Sequence, residues 1–243
     1  GAYDGDTRQF KVHPFNLTDN YIGADLTAVV SDTNRYLIEN FDDIAALANK
    51  DISSANYWIA NNYYVQTADI TLTSWAAPIG VSGTAFKGNY SGNGKTVTFP
   101  ATIIDATGTY FGLFGSLDTA TVSGLTLDGV SVTSNHSTRL GALAGSSVSS
   151  AISNVNVVIT ADTLASTVVA NSYVGALVGH VTGGSINNIN VTLKGKLAAV
   201  KAVGGVVGYA VNAELENCRV TLGHVDGISA SAGHAGGVAG EFA

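Results

Sequence analysis

The sequence predicts an all-β solenoid, in which coils of similar length stack on one another along a single axis. A short glycine phrase, Gly-Leu-Phe-Gly or a close variant, recurs five times in the second half of the 243-residue chain. Its closing glycines lie 30, 34, 29 and 32 residues apart, and they are Gly115, Gly145, Gly179, Gly208 and Gly240. Self-similarity at an interval near 30 residues is typical of solenoid architectures.

Apolar residues recur at fixed offsets behind each closing glycine, although the loops between repeats differ in length. The residues seven positions on are Val122, Ile152, Ile186 and Leu215. Those ten positions on are Leu125, Val155, Ile189 and Cys218, and those twelve on are Leu127, Val157, Val191 and Val220. Constant offsets with variable loops indicate stacked positions, and positions ten and twelve alternate with polar neighbours as a half-buried strand requires.

The position nine residues past the closing glycine predicts a corner in each coil. It is occupied by Gly124, Asn154, Asn188 and Asn217. Positions seven and ten are an odd number of residues apart, so the strand must turn between them if both are to face inward. Asparagine tolerates the left-handed backbone of a sharp turn, and identical amides stacked coil over coil can hydrogen-bond in a ladder. Ordinary turns at these asparagines are the alternative.

Composition and charge agree with a β-rich coil and narrow the possible functions. Glycine exceeds its usual share, and charged residues at 12% are about half the usual ~25%. The net charge of −7 and the lack of a basic stripe argue against nucleic acid as a partner. The longest apolar run, 197–211, is interrupted by Lys201 and is too short to span a bilayer. The single cysteine, Cys218, allows no internal disulfide and is expected to act as a small inward hydrophobe.

Residues 1–60 are predicted to form an N-terminal extended segment and a helical cap, and residues 61–243 one continuous solenoid. In residues 1–35 we expect strand and loop. Asp4-Gly5-Asp6 favours a turn there, because the remaining spacing of a calcium loop is missing.

Residues 40–48 carry the strongest helix signal of the chain. Asn40 can cap the helix, and Asp42 and Asp43 suit its positive N-terminal end. An apolar stripe is formed by Ile44, Leu47 and Ala48. We expect this helix to lie across the open end of the coil and block edge pairing.

Strand patterns begin at Tyr63. Short strands are predicted at residues 63–65, 69–72 and 75–79, and two alternating runs between residues 86 and 99. Gly92-Asn93-Gly94 indicates a tight turn between these two runs. This glycine-rich stretch lacks the spacing and the following helix of a phosphate-binding loop.

The order of these motifs resembles bacterial surface proteins that carry GLUG repeats. The matching segments are Phe41-Asp42-Asp43-Ile44, Asp69-Ile70, Pro78-Ile79-Gly80, Phe86-Lys87-Gly88, Ser91-Gly92-Asn93-Gly94-Lys95-Thr96-Val97 and Gly112-Leu113-Phe114-Gly115. The resemblance covers roughly residues 36–240, and it implies a right-handed parallel β-helix on an exported bacterial protein. Such repeats occur beside the peptidase domain of IgA-specific metallopeptidases. The His-Glu-x-x-His motif of that peptidase does not occur in this sequence, so the resemblance does not imply protease activity.

No column of catalytic groups emerges from the repeats. The acids of the repeats all fall at different offsets, and they are Asp118, Asp128, Asp162, Glu214, Glu216 and Asp226. The histidines are scattered in the same way: His136, His180, His224 and His234. Because glycoside hydrolysis needs paired carboxylates and zinc needs spaced ligands, we predict no enzyme, metal site or cofactor. Glu214 and Glu216, close to Arg219, are expected to form a solvated face.

The sequence therefore favours a non-enzymatic structural or adhesin module of a secreted or cell-surface bacterial protein. A host protein or a glycan is the expected partner, and a carbohydrate-active β-helix enzyme or a substrate-positioning module beside a peptidase are the alternatives. Candidate ligand-binding aromatics are Trp58, Tyr63, Tyr64, Trp75 and Tyr90, with packing under the cap as the other interpretation. We expect a removed export signal and further domains or repeats of the full-length protein, because neither a signal segment nor a polar terminal cap is visible.

Overall fold

The computed structural model describes residues 35–48, 57–75, 77–100, 103–105, 110–136, 138–166, 172–223 and 227–243. Within these ranges the chain forms one helix and three sheets, and every pairing between strands is parallel. The predictions for residues 1–34, including the turn at Asp4-Gly5-Asp6, lie outside the described residues.

The helix and the first six strands lie before the first closing glycine, Gly115, and the seventh strand contains it. In chain order these elements are β1 Arg35–Ile38, α1 Phe41–Ala48, β2 Tyr63–Gln66, β3 Ile70–Thr71, β4 Asn89–Thr98, β5 Ile103–Asp105, β6 Tyr110–Phe111 and β7 Phe114–Asp118. The following repeats contain β8 Thr121–Ser134, β9 Arg139–Leu140, β10 Ala144–Val148, β11 Ala151–Ser166, β12 Tyr173–Gly175, β13 Val178–Thr182, β14 Ser185–Leu193, β15 Lys196–Ala199, β16 Ala202–Gly204, β17 Val207–Val211, β18 Glu214–Leu222, β19 Ile228–Ala230, β20 His234–Gly236 and β21 Ala239–Phe242.

Each complete coil contributes a strand to each of the three sheets, so the architecture is a parallel β-helix. The first sheet runs β1-β2-β4-β8-β11-β14-β18, with β3, β5, β15 and β19 attached beside this path. The second sheet runs β7-β10-β13-β17-β21, and the third runs β6-β9-β12-β16-β20. Because neighbours in each sheet come from successive repeats, the predicted all-β solenoid is confirmed.

Strand register confirms the three predicted apolar columns. Ile152 pairs with Val122 on one side and Ile186 on the other, and the columns of Val155 and Val157 continue in the same way. The side chains of the first three coils in each column are buried in one continuous core. In the last coil Leu215, Cys218 and Val220 are only partly buried, because β18 pairs with β14 alone among the described strands. Partial burial raises the pKa of the Cys218 thiol.

The predicted corner exists in successive coils of the first sheet. Asn154, Asn188 and Asn217 have φ angles of 54°, 55° and 50°, and Gly124 has a φ of 65°. Asn93, with a φ of 51°, makes the same corner inside β4. The tight turn predicted at this point is therefore a bend at which the strand continues to the next face of the coil.

Amide side chains connect the coils on both sides of this corner. Asn188 Nδ2 donates to Asn154 Oδ1 at 3.1 Å, which is the predicted ladder contact. Asn217 Nδ2 donates instead to Asn187 Oδ1 at 3.3 Å, so the corner ladder shifts sideways at the last coil. A second ladder two positions further on joins Asn190 to Asn156 at 3.2 Å.

The closing glycines allow the second and third sheets to meet. A Cβ atom on Gly179 would lie 2.6 Å from the backbone nitrogen of Leu140 and 2.8 Å from the carbonyl oxygen of Gly145. A Cβ on Gly145 would lie 2.6 Å from Cβ of Tyr110. Backbone atoms cannot move aside as a flexible side chain can, so these positions require glycine.

The N-terminal helix forms as its sequence predicts. Asn40 Oδ1 accepts from the backbone N–H of Asp43 at 3.2 Å, while Asp43 Oδ2 accepts from the backbone N–H of Asn40 at 3.2 Å. This reciprocal arrangement satisfies donors at the start of the helix. The apolar stripe of Ile44, Leu47 and Ala48 is buried in the main core. Its role in blocking edge pairing stays a prediction.

The strands β2 and β3 confirm two of the predicted N-terminal strands, but the strand expected at 75–79 is wrong. Among the described residues of that stretch only Ile79 forms a β-bridge, with Phe114. Pro78 lacks the N–H that a ladder needs, and this disfavours a continuous strand at this point.

Replacement of Asn188 tests the left-handed corner. Asn188→Ala should destabilise the protein more than Asn188→Gly, by about 1–2 kcal/mol. Both variants lose the side-chain hydrogen bond to Asn154, but only the alanine is strained at positive φ. Urea unfolding followed by circular dichroism measures the difference. Equal stability of the two variants would show that the corner imposes no backbone strain.

Replacement of a closing glycine tests the close contact between sheets. Gly179→Ala should lower the free energy of unfolding by about 1–3 kcal/mol, the usual cost of overpacking. Gly237→Ala is the matched control, since a Cβ on Gly237 meets no atom of the described residues within 4 Å. A stable Gly179→Ala variant in the same urea titration would contradict the packing described above.

Candidate binding face

Two columns of side chains run side by side on the outside of the coil, where the second and third sheets meet. The register of the third sheet aligns Tyr110, Arg139, Tyr173, Ala202 and His234. The register of the second sheet aligns Ser116, Ser146, His180, Tyr209 and Glu241. Their strand neighbours Leu140, Val174 and Val181 are buried in the core, so alternation turns the columns to the outer side of the coil. Four members of the columns are nevertheless buried there: Ser116, Ser146, Tyr173 and Ala202. These ten residues, with Lys201 next to Ala202, are called the two-column face below.

Arg139 links the two columns near the N-terminal end of the face. Its guanidinium carbon lies 4.6 Å from the ring centroid of Tyr110, and its Nη1 donates to Oγ of Ser146 at 3.0 Å. Ser146 is almost completely buried, so this hydrogen bond holds the guanidinium close to the coil. Among the described residues the guanidinium forms no ion pair with a carboxylate. Arg139 is therefore a positioned cation without a salt bridge.

Tyr173, Tyr209 and His180 form an aromatic cluster in the middle of the face. The rings of Tyr173 and Tyr209 stack with centroids 5.0 Å apart and planes 16° apart. The His180 ring lies 5.1 Å from Tyr209 and 5.5 Å from Tyr173. Since these residues come from two successive coils, the contact exists only when the coils stack in register.

Lys201 adds a second cation to this cluster. Its Nζ donates to the hydroxyl of Tyr173 at 3.0 Å and lies 5.2 Å and 5.9 Å from the ring centroids of Tyr173 and Tyr209. The hydrogen bond to Tyr173 raises the pKa of the lysine. Lys201 is therefore charged at neutral pH, with its ammonium group held over the tyrosine pair.

His180 lies in a positive and partly dehydrated environment. Burial first, and then the charges of Arg139 and Lys201, lower its pKa from 6.5 to about 4. The imidazole is consequently neutral at physiological pH. Its buried Nδ1 has no hydrogen-bond partner among the described residues, which is unusual for a buried polar atom.

Glu241 and His234 form the lower end of the face. His234 Nδ1 lies 3.6 Å from Glu241 Oε2, and Glu241 also contributes an attractive charge at Lys201. From its N-terminal end to its middle, the face therefore contains cations and hydroxyl groups. Its C-terminal end contains Glu241, which is its single carboxylate among the described residues.

The aromatic residues proposed from the sequence lie elsewhere, and two of them are internal. Tyr64 and Tyr90 are 2% and 1% exposed. The ring of Tyr90 packs 5.5 Å from that of Phe114, and its hydroxyl donates to Gln66 Oε1 at 3.1 Å. Burial raises the pKa of both tyrosines and leaves neither ring a surface on which a ligand could lie.

The other three proposed aromatics are partly exposed. Trp58 donates from Nε1 to the carbonyl of Leu47 at 3.0 Å, and Trp75 packs 5.0 Å from the ring of Phe111. Tyr63 is half-buried in β2. Ligand binding at Trp58, Tyr63 and Trp75 stays a prediction.

Sequence reasoning missed the two-column face. The first position after each closing glycine holds Ser116, Ser146, His180, Tyr209 and Glu241, and a search for one repeated residue type passes over such a column. The sequence signal for this column was its constant position, one residue after each closing glycine, which is as regular as the offsets of the apolar columns. The partner column lies two residues before the first glycine of every phrase, so its alignment was also visible as a constant offset. What the sequence could not show is that the two columns lie side by side.

The remaining acids and histidines do not assemble into a further site within the described residues. No three His, Cys, Asp or Glu side chains there are close enough to hold a metal ion. Asp118 pairs with Lys87 at 2.8 Å, and Glu214 and Glu216 are exposed as expected. His224 and Asp226, and the side chain of Asp162, lie outside the described residues.

The stacked parallel coils and the recurring glycine phrase define a β-helix repeat protein. The family model described as "The GLUG motif" matches residues 199–225, which include Lys201 and Tyr209 of the two-column face. The resemblance to GLUG-repeat proteins is thereby confirmed. In the described part of the chain no helix is long and apolar enough to cross a membrane.

Comparison with solved structures gives a distant likeness. A Bacteroides ovatus protein, whose proposed activity is that of an immunoglobulin A1 protease, is 15% identical with a TM-score of 0.47. The alignment covers 88% of this chain and 85% of that chain. At this level the likeness carries no argument about activity. A search of the curated proteins returns no significant match.

The lowered pKa of His180 predicts a pH dependence of stability. Between pH 6.5 and about 4 the unfolded state binds a proton at this residue and the folded state does not, so its contribution is complete above pH 6.5 and is lost as the pH falls. Urea unfolding at several pH values should show a smaller loss of stability for His180→Asn than for the unaltered protein. Identical losses would contradict the environment assigned to His180.

Proposed function

We propose that this chain is a non-enzymatic module of a secreted or cell-surface bacterial protein, and that it binds a glycan through the two-column face. One observation carries the proposal. Stacking of the coils brings Arg139, Tyr173, His180, Lys201 and Tyr209 together on one side of a rigid rod. A regular column of side chains along the axis suits a ligand that is itself an extended chain.

The energetics of the face support a binding role. Two cations are held near one another, and both disfavour protonation of the imidazole between them. Within the described ranges the buried Nδ1 of His180 has no hydrogen-bond partner, which costs stability. Groups arranged at a cost to stability, with a perturbed pKa, are characteristic of functional sites. An inert stalk would gain nothing from this arrangement.

Export to the cell surface and the presence of further domains are parts of the same proposal. The GLUG match supports the first. Large apolar side chains on the last coil support the second, since Leu222 is 57% and Phe242 59% exposed. We propose that a further domain or repeat of the full-length protein covers this coil.

A carbohydrate-active enzyme is the second candidate function, and one observation favours it. The neutral imidazole of His180 beside Arg139 and Lys201 could accept a proton from a substrate whose developing negative charge the cations stabilise. Hydrolysis is disfavoured, because among the described residues Glu241 is the one carboxylate of the face and the reaction uses two. Under this alternative the reaction would be an elimination.

Binding and turnover can be measured in the same experiment. The chain is screened on arrays of neutral and acidic polysaccharides, and released sugars and unsaturated products are assayed in the same wells. We expect binding without products, and binding about tenfold weaker for Tyr209→Ala, since aromatic anchors dominate interface energies. Tyr57→Ala is the matched control, because Tyr57 is a partly exposed tyrosine that packs against Tyr36 of the first sheet.

Three results would contradict parts of this proposal. Product formation that His180→Asn abolishes would establish the enzyme in its place. Equal weakening by Tyr209→Ala and Tyr57→Ala, with both variants folded, would remove binding from the two-column face. Absence of binding to every glycan would overturn the binding function itself.

A further inference from the structure

We propose that the glycan bound by the two-column face is anionic, and that Arg139 and Lys201 bind its carboxylate or sulfate groups. This inference rests on the function proposed above and specifies its ligand. The inference is based on the chemical groups of the face that are accessible to a ligand.

One face of each tyrosine ring in the cluster is covered by a neighbouring side chain. Arg139 covers the ring of Tyr110 at 4.6 Å, and Tyr173 and Tyr209 stack on each other at 5.0 Å. Lys201 lies over both members of this pair. A neutral sugar bound by stacking needs a ring face that is free, whereas Tyr173 is 8% exposed and its hydroxyl already accepts from Lys201. The partly exposed groups of the cluster include the two cations, Arg139 and Lys201.

Arg139 is suited to a planar anion. A guanidinium carries five N–H donors in a rigid fork, and one of them is directed to Ser146. The donors that remain can form paired bonds to a carboxylate or sulfate. No carboxylate of the described chain pairs with this guanidinium, so a ligand would supply its first counter-charge.

The two cations are placed at an interval along the axis. Arg139 pairs with Tyr173 in the next coil, and Tyr173 with Ala202, the neighbour of Lys201, in the coil after that. Two strand spacings separate their backbones by about 10 Å. A polymer with regularly repeated acidic groups can contact both cations when it lies along the rod, whereas a small anion contacts one.

The local potential agrees with this assignment. Both cations lower the pKa of His180, which lies between them, so the field at the centre of the face is positive although the whole chain carries −7. Nucleic acid is a poorer fit, because its affinity grows with the number of phosphates neutralised and this face offers two cations among the described residues.

Binding to three defined polysaccharides tests the proposal. Polygalacturonate supplies carboxylates, dextran sulfate supplies sulfates, and unmodified dextran is neutral. Calorimetry on the whole 243-residue chain should show binding to at least one of the two anionic polymers and none to dextran. Methyl esterification of polygalacturonate should abolish its binding if carboxylate is the recognised group.

Charge-removing variants assign the binding to the face. Arg139→Gln and Lys201→Gln should each weaken binding about tenfold or more, as loss of a close charge contact does. Arg139→Lys retains charge without the paired donors and should give an intermediate affinity. Lys194→Gln is the matched control, since Lys194 is exposed beside the first sheet and loses the same unit of charge. Urea unfolding confirms that every variant is folded.

The outcomes separate this inference from the proposed function. Binding to dextran as tight as to the charged polymers would overturn the anionic ligand and leave a glycan-binding module. Equal weakening by Lys194→Gln and Arg139→Gln would show general attraction without a site, which overturns the assignment to the face. Binding to DNA or to protein in place of any glycan would overturn both.

Discussion

The close approach of parallel backbones is the constraint on which the whole structure depends. Each coil pairs its backbone N–H and C=O groups with the coils before and after it. From β8 to β18 the repeats therefore keep one register across the asparagine corner and the apolar columns, and the register shifts between β8 and β11 lie beyond Val157. The second and third sheets can meet inside that register only where a closing glycine lets backbones touch, as at Gly179. The apolar columns, the asparagine corners and the two-column face all inherit their alignment from this contact.

The sequence predicted those parts of the fold in which every coil places the same packing or backbone requirement on the equivalent position. An inward position accepts only apolar side chains, so the columns of Ile152 and Val155 are visible as constant offsets. A left-handed corner accepts glycine or asparagine, so Asn154 and Asn188 are visible as well. The strand expected at residues 75–79 failed because it was judged by apolar content alone, without the lost donor of Pro78.

The candidate site could not be predicted in the same way, because outward positions carry no common packing requirement. Ser146, His180 and Tyr209 share a column but no size, charge or polarity. Tyr64 and Tyr90 were predicted as surface ligand-binding residues because they are aromatic, but both fill the interior of the coil. Aromatic content therefore identified the core near the N-terminal end, and the structure was needed to show that the two outward columns lie side by side.

A solenoid separates the requirements of folding from those of recognition more completely than a globular domain does. Each repeat contacts only its neighbours, and an outward side chain such as Lys201 can change without disturbing the inward column beside it. Conversely, the fold does not require a cluster such as Arg139, His180 and Lys201. The burial of the His180 imidazole and the two positive charges beside it lower stability. Where the fold leaves the choice of residue open, an unfavourable choice that is compensated only by a ligand is the strongest structural argument for a binding site.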